Sequence, residues 1–344
     1  MTEHPHEADR TVFERRDPMI GTTLGERFRI DARLAAGGFG AIYRATDLRS
    51  GREVALKVLH AALTADPLLV ARFRREGETL ASLRDPHTVT AYELGEAPDG
   101  TLYLAMELLR GETLHEAFRN HGGPLPWQRV TAIARAVCSS LAEAHALGIV
   151  HRDLKPANIH LQERDGQRDF VKVLDFGIAK VLHGSELDPS DLTLAGQMIG
   201  TFDYMAPEQM LAGDVGPRCD IYTLGVVMYE MITGRLPFAE ATSQTHLIAM
   251  LLTTAPPPMA ARAPVPPELD RIVMRCLERE AQDRFADVGE LAAALDRVLA
   301  GAPEEATRTV IAAAIAPGPC ADDDEPTRFG TPAGPPTHLT QTQL

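Results

Sequence analysis

The chain is short of cysteine, of lysine and of long apolar runs, and each shortage removes a class of protein. Its four cysteines, Cys138, Cys219, Cys276 and Cys320, stand far apart with no CxxC spacing. That argues against a disulfide framework and a zinc site, and a reducing, cytoplasmic setting is the expectation. The first 25 residues hold no apolar stretch of the signal-peptide kind, and the run Val310 to Ala316 falls far short of the roughly 20 residues that span a bilayer. A leader and a membrane span are therefore not expected. No Gly-x4-Gly-Lys-Ser/Thr phosphate loop occurs. Of the 34 basic residues only four are lysine, at 57, 155, 172 and 180, and the other 30 are arginine. Arginine is a planar fork and lysine a compact point charge, so the rare lysines draw attention.

What the chain has is length and acidity. Its 344 residues suffice for one large or two ordinary domains. A net charge of −14 disfavours nonspecific attraction to nucleic acid or an anionic membrane, and no nucleic-acid partner is expected. Residues 1–24 are polar and aperiodic and read as a disordered arm. From Phe28 to Leu109 short β-type runs surround one helical pattern carrying Leu69, Val70, Phe73, Leu80 and Leu83. From Thr113 to Leu299 long apolar helical patterns dominate. After Ala300 the text turns to Pro, Gly, Thr and acids, including Asp322 to Glu325, and 301–344 reads as a disordered tail.

Three segments carry chemistry. Leu34-Ala35-Ala36-Gly37-Gly38-Phe39-Gly40-Ala41-Ile42 lies between two β-type runs, as a hairpin whose backbone N–H groups can approach phosphate; by itself it also reads as a plain glycine turn. Seventeen residues after Gly40, Lys57 is the one charge carried by the apolar run Val54 to Leu59. A buried ammonium needs an anion, and Glu76 offers one on the helix face of Phe73 and Leu80. Farther on, His151-Arg152-Asp153-Leu154-Lys155-Pro156-Ala157-Asn158 is a loop dense in ionisable groups, and Asp175-Phe176-Gly177 closes a strand 22 residues after Asp153. Either carboxylate alone reads as a turn residue. Together, in this order, they are a specific signal.

With Ala206-Pro207-Glu208 added, the series resembles the eukaryotic-type protein kinases over roughly residues 27 to 299, and its bacterial serine/threonine branch most. The resemblance implies an α+β, bilobal fold: a small β-rich N-lobe with one main helix (about 27–109) and a larger α-helical C-lobe (about 110–300), within a kinase domain at 25–300. It implies ATP and Mg2+, or Mn2+, in the cleft. The glycine loop covers the phosphates, Lys57 paired with Glu76 binds the α- and β-phosphates, and Asn158 and Asp175 hold the metal. Asp153 orients and accepts the proton of the substrate hydroxyl, and Lys155 neutralises charge on the γ-phosphoryl. The base lies against Glu107 and Leu109 backbone groups, with Met106 as gatekeeper, Ala55 and Ile42 above and Leu161 below. By the same similarity Asp220 anchors the catalytic loop, Arg284 pairs with Glu208, and protein Ser/Thr hydroxyls are the acceptors. The alternative is a catalytically weak scaffold of the same fold that binds nucleotide or a partner. One position departs from the family: Ala35 stands where a glycine is usual, so altered ATP affinity or loop mobility is expected.

Arg152 beside Asp153 resembles the arrangement that pairs with an activation-loop phosphate. Ser185, Ser190, Thr193 and Thr201 are the hydroxyl candidates, with autophosphorylation expected at Thr193. The tail threonines offer a site for a phosphothreonine-recognition domain.

Overall fold

The computed structural model describes residues 17–37, 40–59, 63–64, 66–164, 166–176, 202–211 and 213–301. The first lobe is a six-stranded antiparallel sheet. It comprises β1 (Thr23–Leu24), β2 (Phe28–Ala36), β3 (Gly40–Asp47), β4 (Glu53–Leu59), β5 (Ala91–Glu96) and β6 (Leu102–Glu107), in the order β1-β2-β3-β4-β6-β5. Helix α1 (Pro67–Ser82) packs on it; Asp66 caps its N-terminus by accepting from Leu68 N at 2.8 Å, and Pro67 opens the first turn.

Alternation along β4 decides what faces the cleft. Val54, Leu56 and Val58 enter an outer core with Phe28, Ile30, Tyr43 and Tyr103. Ala55 and Leu59 instead belong to a larger core that continues through α1 into the second lobe. Lys57 lies in step with Ala55 and Leu59, so period-two geometry turns its ammonium towards the cleft.

The second lobe opens with β7 (Glu112–Thr113) and α2 (Leu114–His121), whose start is a reciprocal cap between Thr113 and Glu116. Next come α3 (Trp127–Ala146), β8 (Ile159–Arg164) and β9 (Gln167–Val173), with β7-β8-β9 forming a small antiparallel sheet. Then follow α4 (Pro207–Met210), α5 (Arg218–Thr233), α6 (Gln244–Thr253), α7 (Pro267–Cys276) and α8 (Val288–Ala300). Helix α5 is buried on nearly all sides, which its almost uninterrupted apolar sequence requires. Each Leu, Val or Ile it removes from water contributes about 1.5–3 kcal/mol. The lobes are also joined at backbone level, since Val173 N donates to His87 O at 2.7 Å and Val89 N to Val173 O at 3.0 Å.

The described structure begins at Asp17, ahead of the expected boundary near residue 25. Residues 17–24 are held largely by polar contacts, Asp17 to Arg33 and Tyr43 among them, with Leu24 buried in the outer core and Met19 packed on it. Such anchoring has no hydrophobic period to betray it in sequence.

Candidate active site

The β2–β3 hairpin carries the glycine-rich turn. Gly37 N donates to Gly40 O at 2.8 Å across it; Gly38 and Phe39 lie outside the described residues. Ala35 pairs with Ile42 and Ala36 with Ala41. Ala35 is absent from the described non-glycine residues of positive φ, so a side chain there costs little backbone strain. Gly40 is required for another reason. A Cβ on it would stand 2.2 Å from Val58 O, so the absent side chain lets β3 approach β4.

Beneath this hairpin Lys57 bonds to Glu76 Oε1, and its Nζ lies 3.2 Å from Asp175 Oδ1. Burial opposes the Lys57 charge, but the carboxylates of Asp175 and Glu76 prevail and hold its affinity for the proton above the ordinary lysine range. The ammonium lowers the proton affinity of Asp175, whereas burial raises that of Glu76. Asp175 is held at φ +48°, a conformation uncommon for a residue with a side chain.

The loop between α3 and β8 is fixed from below by Asp220, which is fully buried on α5. Its Oδ2 accepts from His151 N and from His145 Nε2, each at 2.8 Å, and its Oδ1 accepts from Arg152 N at 2.8 Å. Burial works to protonate this carboxyl, yet those donors hold it below the usual carboxylate range. The two backbone bonds keep Arg152 at φ +63°. His151 donates from Nε2 to Leu174 O at 2.9 Å and accepts at Nδ1 from Asp153 N at 3.3 Å. It thereby ties the loop to the segment that delivers Asp175. Burial lowers the His151 proton affinity, so the ring stays neutral.

On this base the polar groups converge. Lys155 Nζ lies 3.0 Å from Asp153 Oδ2, and Asn158 Nδ2 donates to Asp153 O at 2.8 Å. Asp153, Leu154, Lys155, Tyr204, Met205 and Thr223 line one recess. Tyr204 donates to Glu230 Oε2 at 2.5 Å, and burial raises the proton affinity of both.

Apolar residues close the other side. Ala55 pairs with Met106 across β4 and β6; both share the larger core with Leu161, and Ile42 packs against it. Glu107 N donates to Thr90 O at 2.9 Å. Leu109, half-buried, leads to Gly111 at φ +129°. A Cβ on Gly111 would lie 2.1 Å from Leu161 O, so a glycine there seats the interlobe link on β8.

The sequence-selected residues thus come together: Lys57 with Glu76 and Asp175, Asp153 with Lys155 and Asn158, and Ile42, Ala55, Met106 and Leu161 in one apolar wall. Arg284 meets Glu208 in a two-point bond of 2.7 and 2.8 Å. Arg152 Nε is buried without a partner among the described residues. Thr193, Thr201, Ser185, Ser190 and the tail threonines lie outside the described residues. Lys172 was given no role by sequence, yet it is 4% exposed and donates to Glu107 Oε1 at 2.6 Å and Thr88 O at 3.1 Å. It borders a cavity of about 420 Å³ that includes neither Asp153 nor Asp175. The signal was present: Lys172 sits between Val171 and Val173, as Lys57 sits between Leu56 and Val58.

The fold has counterparts among known proteins. The protein kinase domain model matches residues 28–295. Two serine/threonine-protein kinases of Myxococcus xanthus are similar: pkn3 is 39% identical over 285 residues, covering 82% of this chain and 52% of that protein. Pkn1 is 41% identical over 299 residues, 87% of this chain and 42% of that protein. The chain therefore spans about half the length of these curated relatives. The crystal structure of the Mycobacterium tuberculosis PknI kinase domain matches with a TM-score of 0.62 at 30% identity, over 82% of this chain and 98% of that one.

Proposed function

The chain belongs to the protein kinase domain family, and from that premise we propose that it transfers the γ-phosphoryl of MgATP to serine and threonine hydroxyls of proteins. The single observation that carries the reading is the convergence of Asp153, Lys155 and Asn158 on one loop, facing the Lys57, Glu76 and Asp175 cluster. It is a site for positioning and electrostatics, which is what phosphoryl transfer asks of a protein.

Asp153 orients the acceptor hydroxyl and holds its proton. Lys155, bonded to the same carboxylate, stands to neutralise charge on the transferring group. Lys57, steered by Glu76, binds the α- and β-phosphates beneath residues 34–42. Ile42, Ala55, Met106 and Leu161 enclose the base, which meets backbone groups of Glu107 and Leu109. Asn158 uses its amide nitrogen on Asp153 O, which leaves its oxygen, with the Asp175 carboxylate, as hard donors of the kind that suit Mg2+ or Mn2+. Such an ion would neutralise phosphate oxygens and orient them. Arg152 is the partner for a phosphate on Thr193, and a phosphorylated tail threonine is the docking point for a recognition domain.

Incubation of the full chain with MgATP and a protein substrate, followed by mass-spectrometric mapping, tests the reading. Phosphate on Ser or Thr is expected, and Asp153→Asn is expected to remove transfer while retaining nucleotide binding. A chain that binds MgATP and transfers nothing is the non-catalytic scaffold. Absence of phosphate from Thr193 and the tail removes the two regulatory roles.

A further inference from the structure

The strands flanking the glycine-rich turn are gripped from outside the cleft. Asp17, with a side chain 9% exposed, accepts at Oδ2 from the Tyr43 hydroxyl at 3.1 Å and from Arg33 Nη1 at 3.2 Å. Its Oδ1 accepts from Met19 N at 3.0 Å. Arg33 and Tyr43 are cross-strand partners in β2 and β3, so one carboxylate spans the hairpin at a single rung. The segment bearing it is laced to β2, for Gly21 N donates to Ile30 O at 2.8 Å and Ile30 N to Thr22 O at 2.9 Å. Met19 packs on the outer core that also holds Tyr43.

This rung bears on the cleft in two ways. Ile42 and Tyr43 are successive residues of a strand and face opposite sides. Tyr43 lies in the outer core, while Ile42 packs on the core that holds Ala55, Met106 and Leu161. Fixing Tyr43 therefore fixes Ile42. Arg33 also begins a bulge, since the register shifts between Arg33 and Ala35, and bulges re-aim a strand. Past the bulge, the pairs Ala35 with Ile42 and Ala36 with Ala41 lead directly into the turn.

We propose that Asp17 is a positioning residue for the nucleotide: by clamping Arg33 and Tyr43 on the outer face, it sets the pitch of the glycine-rich turn over the phosphates. The proposal rests on the kinase reading above. It concerns a group that touches no substrate and acts through the hairpin.

Calorimetric titration of the full chain with a magnesium complex of a non-hydrolysable ATP analogue tests it, alongside thermal unfolding and the KM for ATP. Asp17→Ala is expected to raise Kd about threefold to tenfold, a change on the order of 1 kcal/mol, with KM rising in step and kcat moving less. Tyr43→Phe should shift Kd in the same direction and carries the test if Asp17→Ala does not fold. Val298→Ala in α8 serves as the stability control, lowering Tm with Kd unchanged. A wild-type chain that binds nucleotide beside Asp17→Ala and Tyr43→Phe variants of equal affinity overturns the proposal alone. So does a rise in Kd matched by Val298→Ala. A wild-type chain that binds no nucleotide overturns the kinase reading and the positioning role with it.

Discussion

Lys172 Nζ lies 2.6 Å from Glu107 Oε1, and this pair bolts β9 of the second lobe to the last strand of the first. Glu107 Oε1 also accepts from Thr90 N at 2.7 Å, and Lys172 donates to Thr88 O. Removing one partner of a buried pair leaves an uncompensated charge, at a cost of about 3–5 kcal/mol. Glu107→Gln should reach that range, because the ammonium left behind is 5% exposed. Lys172→Met should cost less, because Glu107 at 20% can draw on water. Urea unfolding with an unchanged m-value measures both. Equal, small losses would mean that the pair contributes little.

The two described glycines of the turn should respond differently to alanine. At Gly37 a Cβ would meet nothing nearer than Gly40 O at 3.7 Å, whereas at Gly40 it would stand 2.2 Å from Val58 O. Overpacking of this kind costs about 1–3 kcal/mol. Gly40→Ala is therefore expected to lower stability by that amount and to weaken nucleotide binding by pushing β3 off β4. Gly37→Ala should leave stability near wild type. Thermal unfolding and nucleotide titration of the two variants decide, and a reversed order would contradict the packing account.

What the text revealed in advance depended on periodicity and on ionisable residues at fixed intervals. The apolar run Val54 to Leu59 marked β4 and made its single ammonium, Lys57, stand out, while the two cores showed which way it turns; Phe73 and Leu80 gave the face that carries Glu76. Asp153, Lys155 and Asn158 were legible because they share one short loop. Asp17 was not, since its partners Arg33 and Tyr43 are 16 and 26 residues away and a polar tether leaves no period. Lys172 was missed although its flanking valines posed the same question as Lys57; its anion, Glu107, is 65 residues distant and only the fold reveals it. Ala35 drew attention as a departure from the family, and its strand conformation shows that a side chain there costs little backbone strain.

One buried and one half-buried imidazole give the folded state a defined acid response. Burial lowers the proton affinity of His151 against the pull of Asp220, Asp153 and Asp175, and that of His160 against Glu116, Glu112 and Glu107. The unfolded chain takes up protons at ordinary imidazoles near pH 6.5 while the folded chain resists, so stability falls as pH drops below about 6.5. Asp220, held low in the folded state, adds a separate loss only in the carboxylate range below about pH 4. Tm measured from pH 7.5 to 5 should decline, and His160→Gln should flatten that limb without altering the carboxylate limb. An identical slope in the variant would remove His160 from the account.

Arg284 is fully buried and uses every N–H it has. Nη1 donates to Glu208 Oε1 and Arg218 O, Nη2 to Glu208 Oε2 and Arg279 O, and Nε to Glu278 O. Lysine has three donors and no fork, so Arg284→Lys keeps the charge but cannot reproduce the set. A loss of about 3 kcal/mol or more is expected. The effect should also be directional. Glu208 lies in the first turn of α4, and next to it Gln209 donates to Arg152 O, one residue before Asp153. Slackening Arg284 should therefore raise the KM for the acceptor protein more than the Kd for nucleotide, since on the proposed reading Lys57, Ile42, Ala55 and Met106 of the first lobe carry much of the nucleotide binding. Urea unfolding, acceptor kinetics and nucleotide titration on Arg284→Lys separate the two effects. Equal losses towards acceptor and nucleotide would show general loosening rather than a tether serving the acceptor side.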